Sequence, residues 1–236
     1  MKRILFILVG LGFVTQHTIL AQATEVIRIK AGTGGEKAVP MAARYRYEQF
    51  RDGKVVYVNG VMSAARFNYN VLLGEMQFID SRGDTLALTE EPRVRMVGVG
   101  TDVFLYDPQK GYLEIIADYS TVKLVAKRGL KMARNERMGG YEQSSGSSAI
   151  TRYDFYSSEN ASMNKLDGRG DLVVIKGKDY FIIDRNNRSY PMNKANVLKA
   201  FSKHREEVTA FLTSESVDFH QENDLKKLLK YCSELQ

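Results

Sequence analysis

Residues 66–88 read RFNYNVLLGEMQFIDSRGDTLAL, the most regularly patterned stretch of the chain. In extended backbone, alternate side chains point to opposite faces. Phe67, Tyr69 and Val71 then share one face, and Arg66, Asn68 and Asn70 the other. After Gly74 the alternation resumes with Met76 and Phe78, and Leu86 and Leu88 follow the Asp-Ser-Arg-Gly-Asp turn. Helical spacing is absent. The stretch predicts antiparallel strands joined by turns, a scaffold with an aromatic face.

The same pattern extends both ways. Upstream, Tyr45, Tyr47, Val55 and Tyr57 alternate around RDGK, where Asp52-Gly53 reads as a hairpin turn. Downstream, RVRMVGV, DVFLY, GYLEIIA and TVKLVAK are short, rich in β-branched and aromatic residues, and separated by Gly, Pro or Asp. Residues 133–171 are Ser-, Gly- and Asn-rich and read as long loops around one strand, ITRYDFY (150–156). DLVVI and YFIID then form a second hairpin about KGKD (176–179). Gly53, Gly83 and Gly111 recur at spacings of 30 and 28 residues. That is shorter than a propeller blade of roughly 40 residues, so a meander is favoured over a repeat.

Beyond residue 192 the period changes. Val197, Leu198, Phe201, Val208, Phe211 and Leu212 recur at three- and four-residue steps, as in amphipathic helices. Asn193 is placed to cap the first helix, and Asn223 or Asp224 the last. The last helix turns Leu225, Leu228, Leu229 and Cys232 inward and Lys226, Lys227 and Lys230 outward. The expected fold is mainly β: an antiparallel meander, curved as a sheet, half-barrel or sandwich, over residues 43–192. Two or three short helices in 193–236 pack on it, and 24–42 form a flexible lead-in.

The first 23 residues carry Lys2 and Arg3, then an 11-residue apolar run from Ile4 to Val14, then Ala-Gln-Ala at 21–23. This is the layout of a secretory signal peptide cleaved after Ala23. The run falls short of the roughly 20 residues that span a bilayer, and no later segment reaches that length. Cleavage removes two cations and no acid, so the formal charge falls from +6 to +4. The mature chain is expected in the periplasm or at the outer-membrane periphery, without a transmembrane helix and away from nucleic acid. Cys232 is the only cysteine and reads as a buried thiol.

Reactive constellations are scarce. His204 and His220 show no metal-ligand spacing. GTGG and GVGTD match neither nucleotide-binding fingerprint. Asn164, Asp167 and Asp171, and likewise Asp184, Asn186 and Asn187, offer oxygen ligands for calcium, but in turns that use the same groups locally. Asp80, Asp84 and Glu114 are the carboxylates a glycoside hydrolase would have to converge, in a chain without tryptophan. No catalytic, cofactor or metal residue is assigned. Tyr45, Tyr47, Phe67, Tyr69, Phe78 and Tyr106 are the candidate interaction or groove surface, because tyrosines suit a half-wet apolar surface.

FNYNVLLGEMQFIDSRGDTLAL, together with QSSGSSAIT, YFIIDRNNRSYPMNKANVLKAF and DLKKLLKYC, resembles segments of uncharacterised exported proteins of Gram-negative bacteria. The resemblance implies export across an inner membrane. It brings no activity, cofactor or catalytic position. The leading expectation is a non-enzymatic component of an envelope assembly whose partners are other envelope proteins. A carrier or sensor of an apolar ligand such as lipid is the alternative, and a carbohydrate-active enzyme a lower one.

Overall fold

A computed structural model describes residues 26–29, 39–136, 155–156 and 171–235. The chain is mainly β, as the alternation predicts. Ten antiparallel strands follow one open path: β1 (Val26–Ile29), β11 (Asp171–Ile183), β9 (Val122–Glu136), β8 (Gly111–Tyr119), β7 (Asp102–Asp107), β6 (Val94–Val99), β2 (Arg51–Tyr57), β3 (Met62–Asn70), β4 (Glu75–Ile79) and β5 (Thr85–Ala87). Two short strands lie off this path: β10 (Phe155–Tyr156) on β9, and β12 (Ser189–Pro191) on β11.

The register defines the two faces. One carries Phe67, Tyr69, Met76 and Phe78 from β3 and β4, Val97 and Val99 from β6, Phe104 from β7, Tyr112 and Glu114 from β8, and Ala126 and Leu130 from β9. The sheet curls about this face. β4 comes within 8 Å of β8 although five strand-to-strand steps separate them. The Tyr69 hydroxyl also donates to the Arg128 carbonyl at 3.3 Å. The concave side is therefore filled, with Phe67, Tyr69, Val97, Val99, Phe104, Tyr112 and Leu130 in one core cluster.

Helix α1 (Met41–Arg44) and the extended residues behind it run beside the end of β3. Tyr45 bridges Asn70, and the Asn68 side chain both accepts from the Tyr47 amide at 3.2 Å and donates to the Tyr47 carbonyl at 2.9 Å. Asn68 and Asn70 are consequently buried, whereas Arg66 on the same face stays exposed. The 24–42 lead-in was expected to be flexible. Its Val26–Ile29 instead pairs with β11, Val39 is buried in the core, and Met41–Ala42 opens α1; residues 24–25 and 30–38 lie outside the described residues.

Helices α2 (Lys194–Ala200), α3 (Arg205–Ser214) and α4 (Glu222–Glu234) cover the concave side of β8, β9 and β11. Leu124 and Ile182 from the strands pack with Val197, Phe201, Val208, Leu225, Leu228, Leu229 and Cys232 from the helical region. Asn193 caps α2, its side chain accepting from the Asn196 amide at 2.9 Å. Helix α4 differs from expectation. It starts after Gln221 without a side-chain cap, and Asp224 instead accepts from the Asp218 amide. Glu222, in its first turn, is held by Lys178 at 2.8 Å and Lys226 at 2.9 Å and accepts from the Tyr180 hydroxyl.

Two expected hairpin turns are continuous strand. Asp52-Gly53 lies inside β2, and the actual turn is Val58–Val61, where Asn59 accepts from the Val61 amide and Gly60 has φ 85°. Lys176–Asp179 lies inside β11. The glycine spacing is likewise no repeat, since Gly53 is mid-strand while Gly83 and Gly111 serve turns with φ 89° and 75°.

Candidate functional site

Five of the six aromatic side chains singled out from sequence gather as core packing, while Tyr45 packs against Phe50. Tyr45, Tyr47, Phe67 and Tyr69 are buried, and Phe78 and Tyr106 are half-buried against the same core. Tyr69 lies 5.6 Å from Phe104 and 6.1 Å from Tyr112, and Tyr106 meets Tyr112 edge-on at 5.3 Å. Phe67 and Phe78 face each other across β3 and β4 at 6.1 Å. The polar ends are engaged too, with Tyr45 donating to Gln77 at 2.7 Å and Tyr47 to Asp102 at 2.6 Å. Burial raises the Tyr47 and Tyr69 phenols well above their ordinary value, so both stay neutral. Near these rings a recess of about 430 Å³ takes in Tyr69 and Tyr106, with Glu75, Glu91, Lys110 and Lys127 also in its wall.

Beside the aromatic core sits a buried charge cluster that the sequence did not reveal. Glu114 accepts from Arg128 through both Nε and Nη2, the latter at 2.8 Å, and from Arg46 through Nε and Nη2, both at 3.3 Å. Asp102 lies 3.9 Å from Arg46. Desolvation pushes the Glu114 carboxyl upward, but the hydrogen bonds and charges of Arg128 and Arg46 outweigh it, and its pKa falls below the usual carboxylate value. Held ionised in this way, Glu114 pins the N-terminal segment to β8 and β9, and a glycosidase acid would need the opposite shift. Asp80 organises its own turn, accepting from the Asp84 amide at 2.8 Å and the Arg82 amide at 2.9 Å.

The calcium readings resolve in the same terms where they are described. Asp184 accepts from the amides of Asn186 and Arg188 at 2.8 and 3.0 Å, so its oxygens close the β11–β12 turn. Among the described residues no group of three His, Cys, Asp or Glu is placed to hold a metal ion. Asn164 and Asp167 lie outside the described residues, as does most of ITRYDFY. His204 stands 3.8 Å from Glu207. Burial pushes the Cys232 thiol up to about 12. In native protein at pH 8 Cys232 should therefore resist an aromatic disulfide reagent and react with one equivalent once denatured. Stoichiometric labelling of the folded chain would contradict its burial.

The opposite, convex face carries a second apolar surface. Cross-strand pairing lines up Met62 with Val56, Val56 with Met96, Met96 with Leu105, and Leu105 with Leu113. Further along, Ile115 pairs with Val125 and Val125 with Phe181. Val56, Met96, Leu105, Ile115 and Phe181 are only half-buried, whereas Leu113 and Val125 among them are buried in a small cluster with Ile183. The band ends at the β2–β3 turn, where Val58, Val61 and Met62 are 69%, 56% and 65% exposed. Sequence reasoning missed this tip because it placed the hairpin at Asp52-Gly53. The available signal was Asn59-Gly60 between apolar residues, a turn pair of the same standing as Asp52-Gly53. No protein-family model, curated protein or solved structure matches the chain.

Proposed function

We propose that this protein is an exported component of a cell-envelope assembly that works by contact and not by catalysis. The convex band and the β2–β3 tip are its docking surface, and another envelope protein is its partner. The observation that carries the reading is the exposure of three large apolar side chains within five residues, continuous with a half-buried apolar band. Singly exposed apolar residues are ordinary, whereas contiguous ones mark contact surfaces. Export is supported by the basic, apolar and Ala-Gln-Ala order of residues 2–23. No helix among the described residues is long and apolar enough to cross a membrane.

A photo-crosslinking residue at Val58 or Met62, in cells making the full chain, should yield a discrete heteromeric adduct. The same residue at Glu215, exposed after α3, should not. Equal adducts at both places, or none at the tip, would reject this docking surface. N-terminal sequencing of the cell-derived protein should begin at Thr24. An intact Met1 would reject export by cleavage.

A further inference from the structure

A cavity of about 600 Å³ opens where the β8–β9 turn, the β11–β12 turn and the end of α2 meet. Its size is that of a small-molecule site, roughly 300–1,000 Å³. Arg185, Arg188, Lys199 and Lys203 contribute to its wall, against the single carboxylate of Asp184. That carboxylate is already committed, bonded to the turn amides and to Arg188 Nη2 at 3.1 Å. Lys199 and Lys203 have no carboxylate within ion-pair distance among the described residues. Tyr190 brings two cations together over its ring, Arg188 at 6.0 Å and Lys199 at 5.7 Å. Thr121, also in the wall and only 9% exposed, has a buried hydroxyl with no hydrogen-bond partner.

Like charges gathered around a concavity raise its potential and attract a counter-ion. The positive excess matches a dianion better than a monoanion, and a tetrahedral phosphate presents oxygens to several such donors at once. The volume exceeds what a bare phosphate needs, and Phe201, Val122 and the Tyr190 ring supply apolar wall for an organic portion. We infer that this cavity is a binding site for a phosphomonoester carried on a small organic group. Lys199 and Lys203 would supply charge, and the Thr121 hydroxyl, by turning about its side-chain bond, a hydrogen bond. The site is independent of the docking surface proposed above, so either can fail without the other.

A phosphomonoester reaches an envelope protein as a soluble metabolite or as a lipid headgroup, and two arms separate these sources. Glycerol 3-phosphate is titrated calorimetrically into the mature chain at low salt. In parallel, the chain is sedimented with phosphatidylcholine vesicles with or without phosphatidic acid. The expected result is saturable binding in one arm, weakened about tenfold or more by Lys199→Gln/Lys203→Gln. Because Lys199 and Lys203 are exposed, the double variant should keep the wild-type thermal transition, and Lys54→Gln on distant β2 should bind as wild type. Binding of glycerol 3-phosphate identifies a soluble ligand. Retention on phosphatidic acid vesicles alone identifies a headgroup. Absence of binding in both arms, binding indifferent to the double substitution, or equal weakening by Lys54→Gln overturns the inference.

Discussion

Glu114→Ala should lower the unfolding free energy by about 3 kcal/mol at neutral pH, the scale for removing one partner from a buried ion pair. The substitution leaves Arg128, 14% exposed, without its carboxylate, while Arg46, 30% exposed, keeps the longer 3.9 Å contact with Asp102. Water reaches Arg46 and screens it, so most of the loss arises at Arg128. Combining Glu114→Ala with Arg128→Leu should recover part of the stability, because it removes the stranded charge. Urea unfolding followed by circular dichroism measures both. A loss below about 1 kcal/mol for Glu114→Ala would show that the cluster pins nothing.

The same acids set the response to pH. The carboxyl of Glu114 is held below its ordinary 4.5, and that of Glu222 down to about 2, against desolvation, by hydrogen bonds and charge from Lys178 and Lys226. A depressed folded-state pKa contributes stability above the unfolded value and loses it as pH falls toward the folded one. The urea midpoint should therefore drop between pH 4.5 and about 2. Glu222→Gln should flatten that drop.

Gly53→Ala should cost about 3 kcal/mol, at the upper end for overpacking a well-packed interior. A β-carbon there would stand 2.2 Å from the Gly98 carbonyl oxygen and 3.0 Å from the Phe67 ring. The first obstacle is backbone, so β2 and β6 must separate at the centre of the sheet. Gly177→Ala is the matched control. Its β-carbon would meet Lys131 side-chain carbons at 2.5 to 2.7 Å, and that side chain, unlike backbone, can shift at the cost of its contact with Asp179. It should cost under about 1 kcal/mol, since the backbone entropy gain of Gly→Ala offsets part of the strain. Equal midpoints for the two variants would show that the β2–β6 approach is not tight.

The elements that were legible in sequence are those whose signal is local. Alternation at Phe67, Tyr69, Met76 and Phe78 announced strands, and the three- and four-residue steps of Val197, Leu198 and Phe201 announced helix. Asn193 as a cap and Cys232 as a buried thiol follow from neighbours within one or two turns. Asp52-Gly53 and Lys176–Asp179 misled because glycine serves two purposes. It frees a turn at Gly60, and it admits a neighbouring strand's carbonyl at Gly53. Those uses leave the same letter in the sequence.

The candidate sites were less legible than the fold. Asn68 and Asn70 alternate like solvent-facing residues, yet Tyr47 and its neighbours cover them. Glu114 lies 68 residues from Arg46, and Thr121 lies 78 residues before Lys199. Backbone periodicity is decided by the torsions and side chains of adjacent residues, so the sequence alone determined a β-rich chain ending in helices. Whether a tyrosine lines a groove or fills a core, and which acid meets which cation, depends on how far the sheet curls. That curl sums strand twist and cross-sheet packing over the whole chain, and only the tertiary structure decided it.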